Sequence, residues 1–224
     1  RDVERSRGLG DVYKRQVVIP MYYEEEVANE CYTRMKKVLG DLKNYEHELI
    51  FVNDGSKDKT LPILEEIAKK DNNVKVISFS RNFGHQAAVT AGLKKVTGDA
   101  IVIIDADLQD PPELIPEMLK LWEDGNEVIY GKRKTREGES HFKLFTAKMF
   151  YKTLNALSDV EIPKDTGDFR LVDRKVVDTI NSLPEHNKFL RGLFSWVGYK
   201  QIPYEYERKE RFAGTTKYLS LIHI

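Results

Sequence analysis

Asp105, Asp107 and Asp110 crowd the end of an apolar run, in the stretch IVIIDADLQDPPE at residues 101–113. Carboxylates this close repel: two unit charges ~4 Å apart cost about 4 kcal/mol at an effective dielectric of ~20. Asp110 has a local explanation, because it precedes two prolines and a helical pattern and is expected to cap that helix. Asp105 and Asp107 have none. On an extended chain both point to the same side, and Gln109 continues the alternation. A cation makes such proximity favourable. Hard divalent ions take carboxylate and amide oxygens, so Asp105, Asp107 and Gln109 are the expected ligands of Mg²⁺ or Mn²⁺, with positions left for phosphate. A lone D-x-D arises by chance; one that closes an apolar strand on a rim of phosphate-suited loops carries more weight.

Other stretches carry compatible chemistry. In VNDGSKD, Gly55 and Ser56 are explained by a turn, whereas Asp54 at a strand end could accept hydrogen bonds from a base or ribose. Arg133 and Arg136 in KRKTREGES, with Arg211 and Lys217 in RFAGTTK, offer donors for phosphate. Each alone reads as a solvated surface charge; their clustering in two Gly-containing segments favours an anion. Cys31, the one cysteine, falls on the apolar face of a helical stretch and reads as a buried structural thiol. The five histidines show no metal-ligand spacing.

These residues need elements to position them. β-Branched runs at residues 17–20, 48–54, 74–80, 100–107 and 127–132 alternate with helical stretches. Val27, Cys31, Met35, Val38 and Leu42 form one helical face; Leu61, Leu64, Ile67 and Ala68 form another. Residues 84–96 are small enough to pack closely on a sheet, and the helix after Asp110 stops at Gly125. Such alternation predicts an α/β domain, a mainly parallel Rossmann-like sheet with helices on both faces. Sheets of this kind bind ligands beyond the carboxyl ends of their strands, where the polar clusters fall. After residue 140 come a helix with Phe142, Phe145, Met149, Phe150 and Leu154 on a core stripe, the stretch DTGDFRLVDRK, a helical stretch to 196, and YKQIPYEYERK, which alternates like an edge strand.

Lys+Arg and Asp+Glu are both 36 of 224 residues, so no global field points to nucleic acid. Between Lys132 and Lys217 there are 18 basic and 12 acidic residues, which leaves the rest acidic and suits a metal with phosphates held between the two parts. No apolar run reaches the ~18 residues of a membrane span. Residues 1–16 and 219–224 read as non-native tails of a fragment, with one domain at 17–218.

The stretches VVIPMYYEEE, VNDGSKDKT, RNFGHQAAVTAG, DADLQDPPE, TGDFRL and AGTTKY occur in this order. Together they resemble family 2 glycosyltransferases of the GT-A fold, and more narrowly the polyprenyl-phosphate glycosyltransferases such as bactoprenol glucosyltransferases and dolichyl-phosphate mannose synthases. The family's Y-N-E is Tyr22-Tyr23-Glu24 here, with Tyr23 in place of Asn. The resemblance implies that Pro20, Tyr22, Glu24 and Asp54 cradle a nucleotide, and that Asp105, Asp107 and Gln109 hold the metal at its diphosphate. Arg133, Arg211 and Lys217 would meet the donor diphosphate or the acceptor phosphate. Asp107 and Asp168 would be the catalytic carboxylates, Asp168 at the position often proposed as base.

It further implies an inverting transfer of a hexose from a nucleotide sugar, UDP-glucose by nearest resemblance or GDP-mannose, to a polyprenyl phosphate. The expected location is the cytoplasmic face of a membrane, to which the full-length protein is anchored; the oligomeric state is open. Three alternatives stand beside it: transfer to a glycan hydroxyl, a phospho-acceptor signalling module, and a non-catalytic nucleotide- or metal-binding module. A phospho-acceptor module is shorter and places its reactive Asp alone at a central strand end. An ionised lipid phosphate, with a second pKa near ~6, needs no base near neutral pH, so Asp168 is also expected to orient the sugar or stabilise positive charge at its anomeric carbon.

Overall fold

The structure, a computed structural model, describes residues 13–42, 45–134 and 166–213. Continuous apolar runs make strands buried on both faces, and residues alternating along them feed two separate cores. Strand β1 (Tyr13–Met21) sends Val17, Ile19 and Met21 to one face and Val18 to the other. On the first face lie α1 (Ala28–Gly40), α2 (Thr60–Lys70) and α4 (Ile115–Glu123). On the second lie α3 (His85–Leu93), α5 (Arg174–Ser182) and α6 (Leu190–Trp196). The predicted faces hold: Cys31, Met35 and Val38 of α1 and Leu64 and Ile67 of α2 are buried. Burial pushes the Cys31 thiol up to about 12, as a structural thiol requires.

The remaining strands are β2 (Tyr45–Asn53), β3 (Val74–Ser78), β4 (Ala100–Ile103), β5 (Val128–Arg133), β6 (Thr166–Asp173) and β7 (Gln201–Tyr206). One seven-stranded sheet runs β3-β2-β1-β4-β6-β5-β7. Strand β6, in the stretch DTGDFRLVDRK, is antiparallel to both β4 and β5, while the other pairings are parallel. The edge strand expected in YKQIPYEYERK is β7. Small residues bring α3 tight to the sheet: a Cβ on Gly92 would stand 2.3 Å from Val18 Cγ1.

Three expectations need correction. The strand at residue 17 begins at Tyr13, because residues 13–16 pair in parallel with 45–48 and bury Arg15 and Gln16. The predicted strand 100–107 ends at Ile103, and the chain turns with Leu108 at φ +58°. Asp110 makes no cap: the single turn of 3₁₀ helix at Pro112–Leu114 and α4 are preceded by Pro111 and Leu114 without a side-chain cap. Arg136, Lys217 and the stripe from Phe142 to Leu154 lie outside the described residues.

Candidate active site

Every loop at the carboxyl ends of the parallel strands carries polar side chains, and bonds between loops fix their positions. After β1, Tyr22 and Tyr23 pack edge to face (centroids 4.6 Å apart), and Tyr23 N donates to Ser56 Oγ (3.0 Å). After β2, Gly55 at φ +68° lies under the loop that follows β3: a Cβ there would stand 2.2 Å from the Arg81 carbonyl carbon. Asp54 is buried beneath the same loop. It accepts from Phe83 N (2.7 Å), Gly84 N (2.9 Å) and Asn82 Nδ2 (2.9 Å). Its carboxylate is thus engaged in holding the start of α3, a different task from the free acceptor its motif suggests. Between these loops opens a pocket of about 420 Å³ lined by Tyr22, Tyr23, Ser56, Lys57, Arg81 and Asn82 among others. Pro20 is buried in β1, and Glu24 is buried with its N–H donating to Thr60 Oγ1 (2.9 Å).

The acid stretch lies on the same rim, after β4 next to β1, and its carboxylates diverge. Because the chain leaves β geometry after β4, Asp105, Asp107 and Gln109 do not share one extended face. Asp107 faces the segment after β7: Arg211 Nη2 lies 2.9 Å from Asp107 Oδ2, and Arg208 Nη2 4.0 Å. Asp110, fully buried, accepts from the Tyr206 hydroxyl and has Arg208 Nε at 3.5 Å. Gln109 turns toward that segment too, its Nε2 3.5 Å from the Lys209 carbonyl. Arg211 also stands 3.9 Å from Glu24. Arg133 borders the cluster from behind, beside Gly167 and hydrogen-bonded to Tyr206, whose hydroxyl donates to Asp110.

Asp105 faces the other way, toward α3 and β6. His85 Nε2 lies 3.7 Å from Asp105 and 3.1 Å from Asp168. Asp168 also accepts from Arg191 Nη2 of α6 (3.2 Å) and has Arg170 at 4.0 Å. Arg170 is buried; it donates to the carbonyls of Gly167 and Asp168 and stacks over Phe194 at 4.4 Å. Burial alone would raise Asp168, but the His85 hydrogen bond and the Arg191 and Arg170 charges hold it well below the usual carboxylate range. Burial alone would lower His85; its bond to Asp168 and the charges of Asp105 and Asp168 raise it instead. Asp105 is pushed up to about 6 by burial, with Asp168, Asp110 and Asp107 adding to the rise against His85.

The repulsion between the acids is therefore relieved in part by the protein's own cations, and unequally. Asp107 and Asp110 have arginines. Asp105 has only His85 within ion-pair distance among the described residues. The donor set is of the kind a hard divalent cation takes: two carboxylates of one loop, Asp107 buried and Asp105 half-buried. Among the described residues no group of three or more His, Cys, Asp or Glu side chains is placed to hold a metal ion. Two carboxylates suffice where an ion such as Mg²⁺ completes its shell with substrate phosphates and water.

Sequence reasoning missed His85, Arg170, Arg191 and Arg208. His85 carried a legible signal, since it follows the RNFG turn directly on the ligand-binding rim. Arg208 and Arg191 had none, because their roles depend on tertiary packing: the segment after β7 arrives beside Asp110, about a hundred residues away, and α6 beside Asp168, 23 residues away.

With the geometry in hand, comparison with known proteins is specific. The chain is 56% identical over 202 residues to the glycosyltransferase YkcC of Bacillus subtilis (strain 168), covering 90% of this chain and 62% of that protein. It is 43% identical over 205 residues to the bactoprenol glucosyl transferase of Shigella phage SfX, covering 92% of this chain and 66% of that protein. The chain thus spans a little under two thirds of the length of these relatives. The fold is that of glucosyl-3-phosphoglycerate synthase from Mycobacterium tuberculosis, solved with Mn²⁺, UDP and glucosyl-3-phosphoglycerate (TM-score 0.60, 21% identity, 90% of this chain and 73% of that one). A mannosyltransferase from Pyrobaculum calidifontis, in complex with GDP-Man and Mn²⁺, matches with TM-score 0.60 at 16% identity over 88% of this chain and 56% of that one. Residues 16–180 match glycosyl transferase family 2, and the chain belongs to that family, with its GT-A fold.

Proposed function

We propose that the protein transfers a hexose from a nucleotide sugar to a polyprenyl phosphate at the cytoplasmic face of a membrane, in a single displacement that inverts the anomeric centre. The observation that carries this reading is the meeting, on one rim, of a nucleotide-sized pocket, the Asp105–Asp107 pair and the arginines around them. The names of the bactoprenol glucosyl transferase relatives support the acceptor and glucose as the sugar.

The pocket between Tyr22, Lys57 and Arg81 receives the nucleoside, with Asp54 keeping its far wall in place. Asp105 and Asp107 would hold Mg²⁺ or Mn²⁺, which supplies charge stabilisation to the departing nucleoside diphosphate. Arg211, in reach of Asp107, supplies planar donors to phosphate on the same side. Asp168 stays ionised between His85 and Arg191 and faces the space beside Asp105. Held that low, it is a poor proton acceptor. Its task is to orient the sugar and stabilise positive charge at the anomeric carbon. A phosphate acceptor, already ionised, needs no base, whereas a glycan hydroxyl does; this favours the phosphate.

The test is transfer of labelled glucose from UDP-glucose, and of mannose from GDP-mannose, to a polyprenyl phosphate in the presence of Mn²⁺. A lipid-linked product of inverted configuration from one donor is expected. Transfer to a free glycan but to no polyprenyl phosphate would contradict the acceptor assignment.

A further inference from the structure

Among the described residues two non-glycine residues have positive φ, Leu108 (+58°) and Tyr23 (+56°), and both lie on the ligand-binding rim. A bulky side chain is strained in this conformation, whereas Asn, which the family's motif has at the position of Tyr23, tolerates it. Leu108 has an evident reason to be there: it is 1% exposed and packed into the core on the α1 face. Tyr23 has no such reason. It is half-buried, and its ring belongs to neither apolar core.

Strain of this kind persists where the surroundings over-determine the backbone, and the stretch after β2 does so here. Asp54 N donates to the Met21 carbonyl (2.8 Å), Tyr23 N to Ser56 Oγ (3.0 Å) and Glu24 N to Thr60 Oγ1 (2.9 Å). The chain on both sides of Tyr23 is therefore tied to one neighbouring loop, and what the tied turn delivers is a ring at the pocket.

The strands stand in the order β3-β2-β1. Residues 53–57, after β2, thus lie between the stretches that follow β3 and β1, which face each other across the pocket. Phe79 and Arg81 line it from the β3 side, Tyr22 and Tyr23 from the β1 side. The planes of Tyr22 and Tyr23 are 81° apart, with centroids at 4.6 Å. Two rings nearly at right angles make a corner: a flat ligand laid on the face of one meets the other at its edge. Ring faces and ring edges carry opposite partial charge, and a planar heterocycle uses both. With Asn at position 23 the corner would be a single wall.

We infer that Tyr23 is a base-binding residue of the donor site, completing with Tyr22 an aromatic corner that seats the heterocycle of the nucleotide. The inference rests on the proposed nucleotide-sugar donor and adds to it a contact peculiar to this sequence.

The test is calorimetry on the full chain, Tyr23→Asn and Tyr23→Phe, each with Mn²⁺ and with UDP, GDP or inorganic pyrophosphate. For whichever nucleotide binds the parent, Tyr23→Asn is expected to bind about tenfold more weakly, the loss of one aromatic contact to a base. Tyr23→Phe is expected to recover most of that affinity. Pyrophosphate, which has no base, should bind all three alike, and Tyr23→Asn should melt within a few degrees of the parent, since it trades a ring contact for a relaxed backbone. Equal nucleotide affinity of Tyr23→Asn and parent would overturn the inference and leave the donor site standing. Equal losses in Tyr23→Asn and Tyr23→Phe would overturn the corner by giving the contact to the hydroxyl. Unfolding of Tyr23→Asn, or a matching loss for pyrophosphate, would overturn it by giving the ring to the fold. Binding of neither nucleotide by the folded parent would remove the donor reading, and the inference with it.

Discussion

Near the amino ends of β1, β2 and β4, Glu48 is buried with a full set of partners: Gln16 donates to it, and Lys75 and Lys14 lie 2.7 and 3.6 Å away. Gln16 in turn accepts from Thr97 N and Gly98 N (both 2.6 Å), which joins the turn before β4 to β1. At the carboxyl ends of the same sheet Asp105 has, among the described residues, only His85 within ion-pair distance, and three further carboxylates add to its burden. Burial would raise Glu48 too, but its bonds to Lys75 and Gln16, with the Lys14 charge, bring it below its usual value. Two acids taken out of water on one sheet thus move in opposite directions. A closed, balanced cluster holds strands together; an open cluster with a carboxylate short of positive charge is a place for a charge brought by a ligand.

The contrast is broken most severely at the rim. Asp105→Asn and Asp107→Ala are each expected to weaken Mn²⁺-dependent nucleotide binding by about a hundredfold or more, roughly 3 kcal/mol, measured by calorimetry. Asp105→Asn should leave the melting temperature unchanged or raise it by a few degrees, since it removes a half-buried charge that, among the described residues, only His85 offsets. Glu48→Ala inverts the pattern. It leaves the Gln16 amide without its acceptor and is expected to cost about 1–3 kcal/mol in urea unfolding, with nucleotide binding intact.

Asp168→Asn sharpens the account of the rim by a smaller step. A tenfold to hundredfold fall in kcat, about 1.4–2.7 kcal/mol, is expected. The acid limb of the pH–rate profile should survive in the variant, because Asp168 stays ionised across the working range while the acceptor phosphate, near ~6, and Asp105, pushed up to about 6, titrate there. Loss of the limb would identify Asp168 as the base.

The smallest effect is in stability against pH. Glu48 has a folded-state pKa below its unfolded one, so its contribution is fully present above the unfolded value and is lost as pH falls through the folded value. Glu48→Gln should therefore flatten the acid side of the stability curve, read as denaturant midpoints from neutral pH downward. An unchanged acid slope would remove Glu48 from the balanced cluster.

What the sequence made legible follows from how local each signal is. Apolar runs and three-and-four spacing exposed the parallel strands, the buried faces of α1 and α2, and the rim on which ligand chemistry had to fall. Gly92 belonged to a visibly small-residue helix. Strand β6 was not legible, because TGDFRLVD becomes a central antiparallel strand only by pairing with β4 and β5, remote in sequence. The turn after Ile103 escaped for a related reason: Leu108, at φ +58°, is buried and apolar and carries no turn signature. That turn sends Asp105 to His85 and Asp107 to Arg211, where an extended chain would have kept them together. That β1 starts as early as Tyr13 was not legible in so polar a stretch, because the partners of Arg15 and Gln16 in the sheet come from β2 and the turn before β4.

The central claim is that the Asp105 cluster awaits a metal-borne charge and the Glu48 cluster does not. Calorimetric titration of UDP and of GDP, each with and without Mn²⁺, into the parent chain, Asp105→Asn and Glu48→Gln tests it most directly. One nucleotide should bind the parent and Glu48→Gln only with Mn²⁺, and should fail to bind Asp105→Asn while that variant melts at or above the parent's temperature. Metal-independent binding to the parent, or equal binding by Asp105→Asn, would contradict the account.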